Sequence, residues 1–166
     1  MATRETEDET WLVAHDFSSC AETAANLALD DLLARRSGGR LLLAHVFTVY
    51  APPSAIDIGG ATAFPQLESA ARVEATRALE RVAERLRARV KSASNLSGPV
   101  EIEVLARLGT PAEGLLEEAD ARNVQRIYIG THGRVGVSHL LLGSVAERVV
   151  RRAKVPVVVA HEKERP

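Results

Sequence analysis

The chain has 166 residues, 46% hydrophobic and 26% charged, with a formal net charge of -1. That size suits one domain with a real core, and the near-neutral charge argues against a dedicated nucleic-acid binder, which carries a basic surplus. No apolar run approaches the roughly 20 residues of a membrane span, and the single cysteine, Cys20, excludes an intrachain disulfide and suits a cytoplasmic protein.

Residues 1–9 are acidic and lack an apolar stretch, so they read as a disordered tail rather than a signal peptide, leaving a domain over 10–162. Trp11 to His15 is a short apolar strand, broken by Asp16-Phe17-Ser18-Ser19. Ser19 and Glu22 have capping-box spacing and open a helix from about Ala21 to Arg36, with Ala25, Leu29, Leu32 and Leu33 apolar. Cys20, near its start, reads as a small buried filler. Ser37-Gly38-Gly39 ends the helix. Arg40 to Phe47 is nearly continuously apolar, as in a parallel strand covered on both faces.

Thr48 to Pro65 reads as a long connection of the kind that serves as a lid or a disordered segment. A long helix follows from about Gln66 to Ala93. Its apolar stripe is Leu67, Ala71, Val82, Leu86 and Val90, and its face of Glu80, Glu84, Arg81, Arg85 and Arg89 reads as solvated surface. Val100 to Ala106 alternates like a strand near a sheet edge. Thr110, Pro111 and Glu113 then sit at the cap, first and third positions of a helix running to about Arg122. A strand ends at Ile129, a helix spans Val145 to Ala153, and Val155 to Val159 is the last strand. Strands alternating with helices imply a parallel sheet with helices on both faces. Such sheets bind ligands beyond the carboxyl ends of their strands. Asp16, the residues after Val46, and Gly130 all follow strands and converge there.

The most informative spacing is Gly130-Thr131-His132-Gly133, nine residues, then Gly143-Ser144. Glycines between a strand and a helix let main-chain N–H groups approach an anion without a Cβ in the way, and a helix N-terminus leaves such groups unpaired. A plain turn capped by a Ser144–Glu147 box is the competing reading. Asp16 can accept hydrogen bonds from an adenine amine or a ribose hydroxyl, or cap the first helix with Ser18 and Ser19. Arg134 stands either near phosphates or in solvent. A Walker A loop and a Gly-x-Gly-x-x-Gly turn are both absent. His15, His45 and His132 can approach one another, yet no pair has metal-ligand spacing and one cysteine builds no zinc site, so no metal site is expected. The apolar run Val157-Val158-Val159, if at a sheet edge, needs a cover, and a second copy of the chain supplies one.

These residues resemble the universal stress protein family. Its nucleotide-binding members carry Gly-x-x-Gly, nine residues, then Gly-Ser/Thr, complete here from Gly130 to Ser144. Val13-Ala14-His15-Asp16-Phe17-Ser18, Ala44-His45-Val46, Gly109-Thr110-Pro111 and Val155-Pro156-Val157 fit the family's other landmarks, so the resemblance covers about residues 10 to 161. It implies a five-stranded parallel sheet of order 3-2-1-4-5, Rossmann-like and of the adenine nucleotide alpha hydrolase-like kind. It also implies ATP, carried with Mg2+, across the ends of the first and fourth strands. Asp16 and the Val46 backbone would contact the adenine side; Ala14 and His15 would line the ribose and base pocket. Ile129, Gly130 and Gly133 would flank ribose and phosphates; Gly143, Ser144, Val145 and Ala146 would hold phosphate oxygens. One departure is Ala146, where relatives often carry a hydroxyl. The resemblance further implies a homodimer through the last strand, Val155 to Ala160. The expected function is a nucleotide-responsive stress or signalling module with little or no turnover. A slow ATPase or nucleotidyl-transfer enzyme using His132, Asp16 or Arg134, and a nucleotide-free dimeric interaction protein, are the alternatives.

Overall fold

A computed structural model describes residues 9–49, 60–94, 96–131 and 142–161. Elements alternate in chain order: β1 (Thr10–Ala14), α1 (Ser19–Arg35), β2 (Gly39–Phe47), α2 (Gly60–Ser92), β3 (Val100–Leu108), α3 (Pro111–Ala121), β4 (Arg126–Gly130), α4 (Ser144–Arg152) and β5 (Val157–Ala160). The five strands form one sheet in the order β3-β2-β1-β4-β5, every pair parallel. This is the order that the sequence resemblance implies.

Side chains alternate across a strand, and the two faces pack separate cores. Trp11, Val13, Leu41, Leu43 and Tyr128 meet α1 and α2 on one face. Leu12, Ala14, Leu42, Ala44, Val46, Ile127 and Ile129 meet α3 and α4 on the other. Burial of the central strands explains their unbroken apolar runs: Leu41, Leu42, Leu43 and Ala44 are all within 1% of fully buried.

Three helix starts differ from the sequence expectation. α1 is capped by Ser18, not Ser19: Ser18 has extended dihedrals, and its hydroxyl accepts from the Ala21 amide at 3.2 Å. α4 is preceded by Gly143 at the cap, so Ser144 is the first helical residue and forms no capping box; Glu147 pairs with Arg151 instead. α2 begins at Gly60 and runs through Pro65, which the sequence reading placed outside the helix. Pro65 is the sixth residue of this helix, past the four amides that lack intrahelical partners anyway, so it costs the second turn one main-chain bond. The remainder of the expected Thr48–Pro65 connection, residues 50–59, lies outside the described residues. In the expected α2 stripe Val82 and Leu86 are buried, but Leu67 is 44% exposed, while Leu79, not foreseen, is fully buried. The charged face of α2 does more than meet solvent: Arg85 pairs with Glu22, and Arg89 with Asp30 at 2.5 Å, tying α2 to α1.

Candidate functional site

The carboxyl ends of β1, β2 and β4 open into a cavity of about 450 Å³, within the range of small-molecule sites. Strand alternation makes its walls apolar. Ala14, Ala44, Val46 and Ile129 all point to the α3/α4 face, and Pro111 and Leu115 from α3 complete that side. α3 comes this close because Gly114 lacks a side chain: a Cβ there would sit 2.8 Å from the Val46 Cγ1.

The polar end of the cavity is backbone. Thr131, 2% exposed, donates its N–H to the Ala160 carbonyl at 2.9 Å, and its own carbonyl accepts from the Gly143 N–H at 2.7 Å. This clip sets the start of α4 against the end of β4. The next main-chain bond in α4 runs from the Glu147 N–H to the Gly143 carbonyl at 2.8 Å. Between them, the N–H groups of Ser144, Val145 and Ala146 donate to no main-chain carbonyl among the described residues, and no side chain caps them. All three residues line the cavity, and Ser144 is exposed. Open amides at the positive end of a helix dipole are what a phosphate needs. Gly143 itself has φ -60° and ψ 149°, conformationally open to other residues, so the turn geometry alone does not demand glycine. Gly130 is required for packing: a Cβ would lie 2.7 Å from the Cys20 Cβ and 2.9 Å from its carbonyl carbon.

At the end of β1, Asp16 lies in the cavity wall. Its Oδ1 accepts from the Ser18 hydroxyl at 2.6 Å and from the Ser18 N–H at 3.1 Å. His15 is 3% exposed; its Nδ1 accepts from the Phe17 N–H at 3.2 Å, and its carbonyl accepts from His45 Nδ1 at 2.7 Å. Burial holds its pKa below the ordinary histidine value of 6.5, against the opposing pull of the Glu22 and Asp16 carboxylates. The expected approach of His15 and His45 therefore occurs, on the face opposite the apolar walls. Among the described residues no three His, Cys, Asp or Glu side chains gather as a metal site, and no helix is long and apolar enough to cross a membrane.

Ten sequence-selected residues, Ala14, His15, Asp16, Val46, Ile129, Gly130, Gly143, Ser144, Val145 and Ala146, line this single cavity. Gly133, Arg134 and His132 lie outside the described residues. The cavity is also lined by Ala21, Ala44, His45, Pro111, Leu115 and Thr131, residues to which the sequence alone assigns no place in a site. Four of these, Ala44, His45, Pro111 and Thr131, stood in motifs already noted. Leu115 follows Pro111 by one helical turn, and Ala21 is the small residue in the first turn of α1 that the strand end demands.

A model of the universal stress protein family matches residues 9–161. The chain belongs to the universal stress protein family. It is 34% identical over 151 residues to a universal stress protein of Thermus aquaticus, covering 91% of this chain and 97% of that one. Among solved structures, UspA from Lactobacillus plantarum superposes with a TM-score of 0.67 at 21% identity, covering 92% of this chain and 97% of that one. A family protein from Arabidopsis thaliana, solved with AMP bound, superposes with a TM-score of 0.58 at 17% identity over 94% and 93% of the two chains. Likeness at these identities speaks to the shared Rossmann-like fold. The chain spans less than half the length of several other curated relatives that it matches.

Proposed function

We propose that the cavity binds an adenine nucleotide, ATP carried with Mg2+, and that occupancy makes this chain a nucleotide-responsive stress or signalling module. The observation that carries the reading is the set of three amides at Ser144, Val145 and Ala146 that have no main-chain partner among the described residues and border an apolar cavity at the carboxyl end of the sheet. The fit is chemical at both ends. Ala14, Ala44, Val46 and Leu115 suit a base, and the open helix start suits phosphates. Asp16 and the Val46 backbone would face the base, Ala14 and His15 the base and ribose, Ile129, Gly130 and Gly133 the ribose and phosphates, and Arg134 the phosphate side. The AMP bound to the Arabidopsis relative supports the same ligand class.

Turnover is read as small or absent. Asp16, the carboxylate in the cavity wall, already holds two donors from Ser18, which leaves it poorly placed as a general base. The domain, over 10–162, is read as cytoplasmic and as a homodimer paired through the last strand, Val155 to Ala160, because β5 ends the sheet and an open edge invites pairing.

Titration calorimetry with Mg-ATP tests the central reading. Binding should also stabilise the fold by about 2.7 kcal/mol at 100 times the dissociation constant. No heat and no thermal shift at millimolar ATP would reject it.

A further inference from the structure

The turn from His15 to Ser18 is held by two side chains that both act as hydrogen-bond acceptors. Asp16 clamps Ser18, as described above. His15 clamps Phe17 through an Nδ1 that accepts the Phe17 N–H at 3.2 Å. Phe17 sits at φ 67°, the left-handed region that a bulky residue enters only when its surroundings impose it. The neighbouring rings help to impose it: Phe17 packs 5.3 Å from His15 and 4.7 Å from His45, centroid to centroid.

A nitrogen that accepts carries no proton, so the neutral ring bears its hydrogen on Nε2. That atom is buried, has no hydrogen-bond partner among the described residues, and stands 3.8 Å from Glu22 Oε1. The side chain itself has no exposed surface. Protonation would turn Nδ1 from acceptor to donor and set it against the Phe17 N–H. His45 differs. Its Nδ1 faces the His15 carbonyl, which only accepts, so that bond survives when His45 is charged.

We propose that His15 is a positioning residue for the nucleotide cavity: its unprotonated Nδ1 holds the Phe17 amide, and thereby fixes Asp16 in the cavity wall. Nucleotide affinity then falls when the ring takes up a proton. The ligand in this statement rests on the nucleotide reading above; the clamp on Phe17 does not. Four charged or titratable groups face His15. Glu22 of α1 and Asp16 of the turn favour its protonation, while His45 of β2 and Arg85 of α2 oppose it. Burial is the largest influence and also opposes it. The change therefore falls on the acid side of the ordinary histidine range, with affinity level above it.

The test is calorimetry with Mg-ATP at about pH 8 and about pH 5.5 on the wild type, His15→Asn and His15→Leu. Asparagine keeps an acceptor oxygen near Nδ1 but does not titrate. The wild type should bind measurably more weakly at the acid end than at pH 8, with about tenfold, the scale of one hydrogen bond to a charged group, as the ceiling once the ring is fully protonated. His15→Leu should be weak at both pH values. His15→Asn should recover most of that loss at pH 8 and show a flatter profile than the wild type. Protonation of ATP itself is common to all three proteins and cancels in the comparison. In parallel, hydrogen exchange of the Phe17 amide is followed without nucleotide. Acid should speed it in the wild type relative to His15→Asn. Identical pH profiles for wild type and His15→Asn, or a Phe17 amide equally protected in both at pH 5.5, would overturn the proposal. A wild type that fails to bind at pH 8 overturns the nucleotide reading instead, and the exchange experiment still decides the clamp.

Discussion

Two helices begin at the same end of the sheet and border the same cavity, yet their first turns are built in opposite ways. α1 begins closed. Ser18 caps it, Asp16 holds Ser18, and His15 holds Phe17. α4 begins open, with an uncapped glycine and three successive amides without a main-chain partner among the described residues. A helix start satisfied by its own side chains needs no ligand; an exposed, uncapped one is open to water or to an anion. The contrast separates turn chemistry from ligand chemistry, which glycine and serine spacing alone does not.

The largest expected effect comes from the contact that brings the two starts together. Gly130→Val should destabilise the fold by about 1–3 kcal/mol or more, because the new side chain meets the backbone of α1 at Cys20. Urea unfolding measures it. A loss below about 0.5 kcal/mol would mean that α1 moves aside freely, and the closed start would then be less rigid than its bonds imply.

Removing the closed cap comes next. Ser18→Ala should cost about 1 kcal/mol, the usual worth of an N-cap side chain, read as a lower urea midpoint at unchanged slope. Because Asp16 keeps the Ser18 N–H, the cavity wall should largely persist. An unchanged midpoint would remove the contrast from the α1 side.

Much of this arrangement is legible in the sequence, for reasons that also mark where legibility stops. Strands buried on both faces leave continuous apolar runs, and Leu41 to Ala44 is such a run. Alternation with helices then leaves few topologies. Cap positions were harder. Ser18 and Ser19 are interchangeable in composition, and only the extended backbone of Ser18 decides between them. Likewise Ser144 and Glu147 have capping-box spacing, but the Thr131–Gly143 clip starts the helix one residue earlier than a box allows. Leu67 and Leu79 fit the same helical stripe, and it is the reach of the sheet that buries only Leu79. The cavity-lining position of Ala21 and Leu115 depends on how closely α1 and α3 approach the strand ends, which tertiary packing alone sets.

Acid should act on the closed start and spare the open one. Burial depresses the His15 pKa below 6.5, so between that lowered value and 6.5 the unfolded chain binds a proton that the native state refuses. Stability therefore falls as pH drops below about 6.5 and levels off beneath the native pKa. His15→Asn should flatten this limb when thermal midpoints are compared across pH. If the limb keeps its full slope, the acid sensitivity lies in other groups.

The smallest effect on stability is expected at α4, and it discriminates best. Ser144 occupies the first helical position and caps nothing, so Ser144→Ala should change unfolding free energy by no more than about 0.5 kcal/mol. Gly143→Val should also fold, since the dihedrals at that residue admit a β-branched side chain. Both should nevertheless weaken Mg-ATP binding. Ser144→Ala loses one hydroxyl contact, about fivefold if it is worth about 1 kcal/mol. Gly143→Val loses more, because its side chain intrudes where phosphate must approach the amides. Calorimetry on the two variants, alongside their unfolding curves, separates the effects. Full affinity in both would show that the open amides of α4 face solvent for reasons unconnected with nucleotide. The difference between the two helix starts would then be one of capping alone.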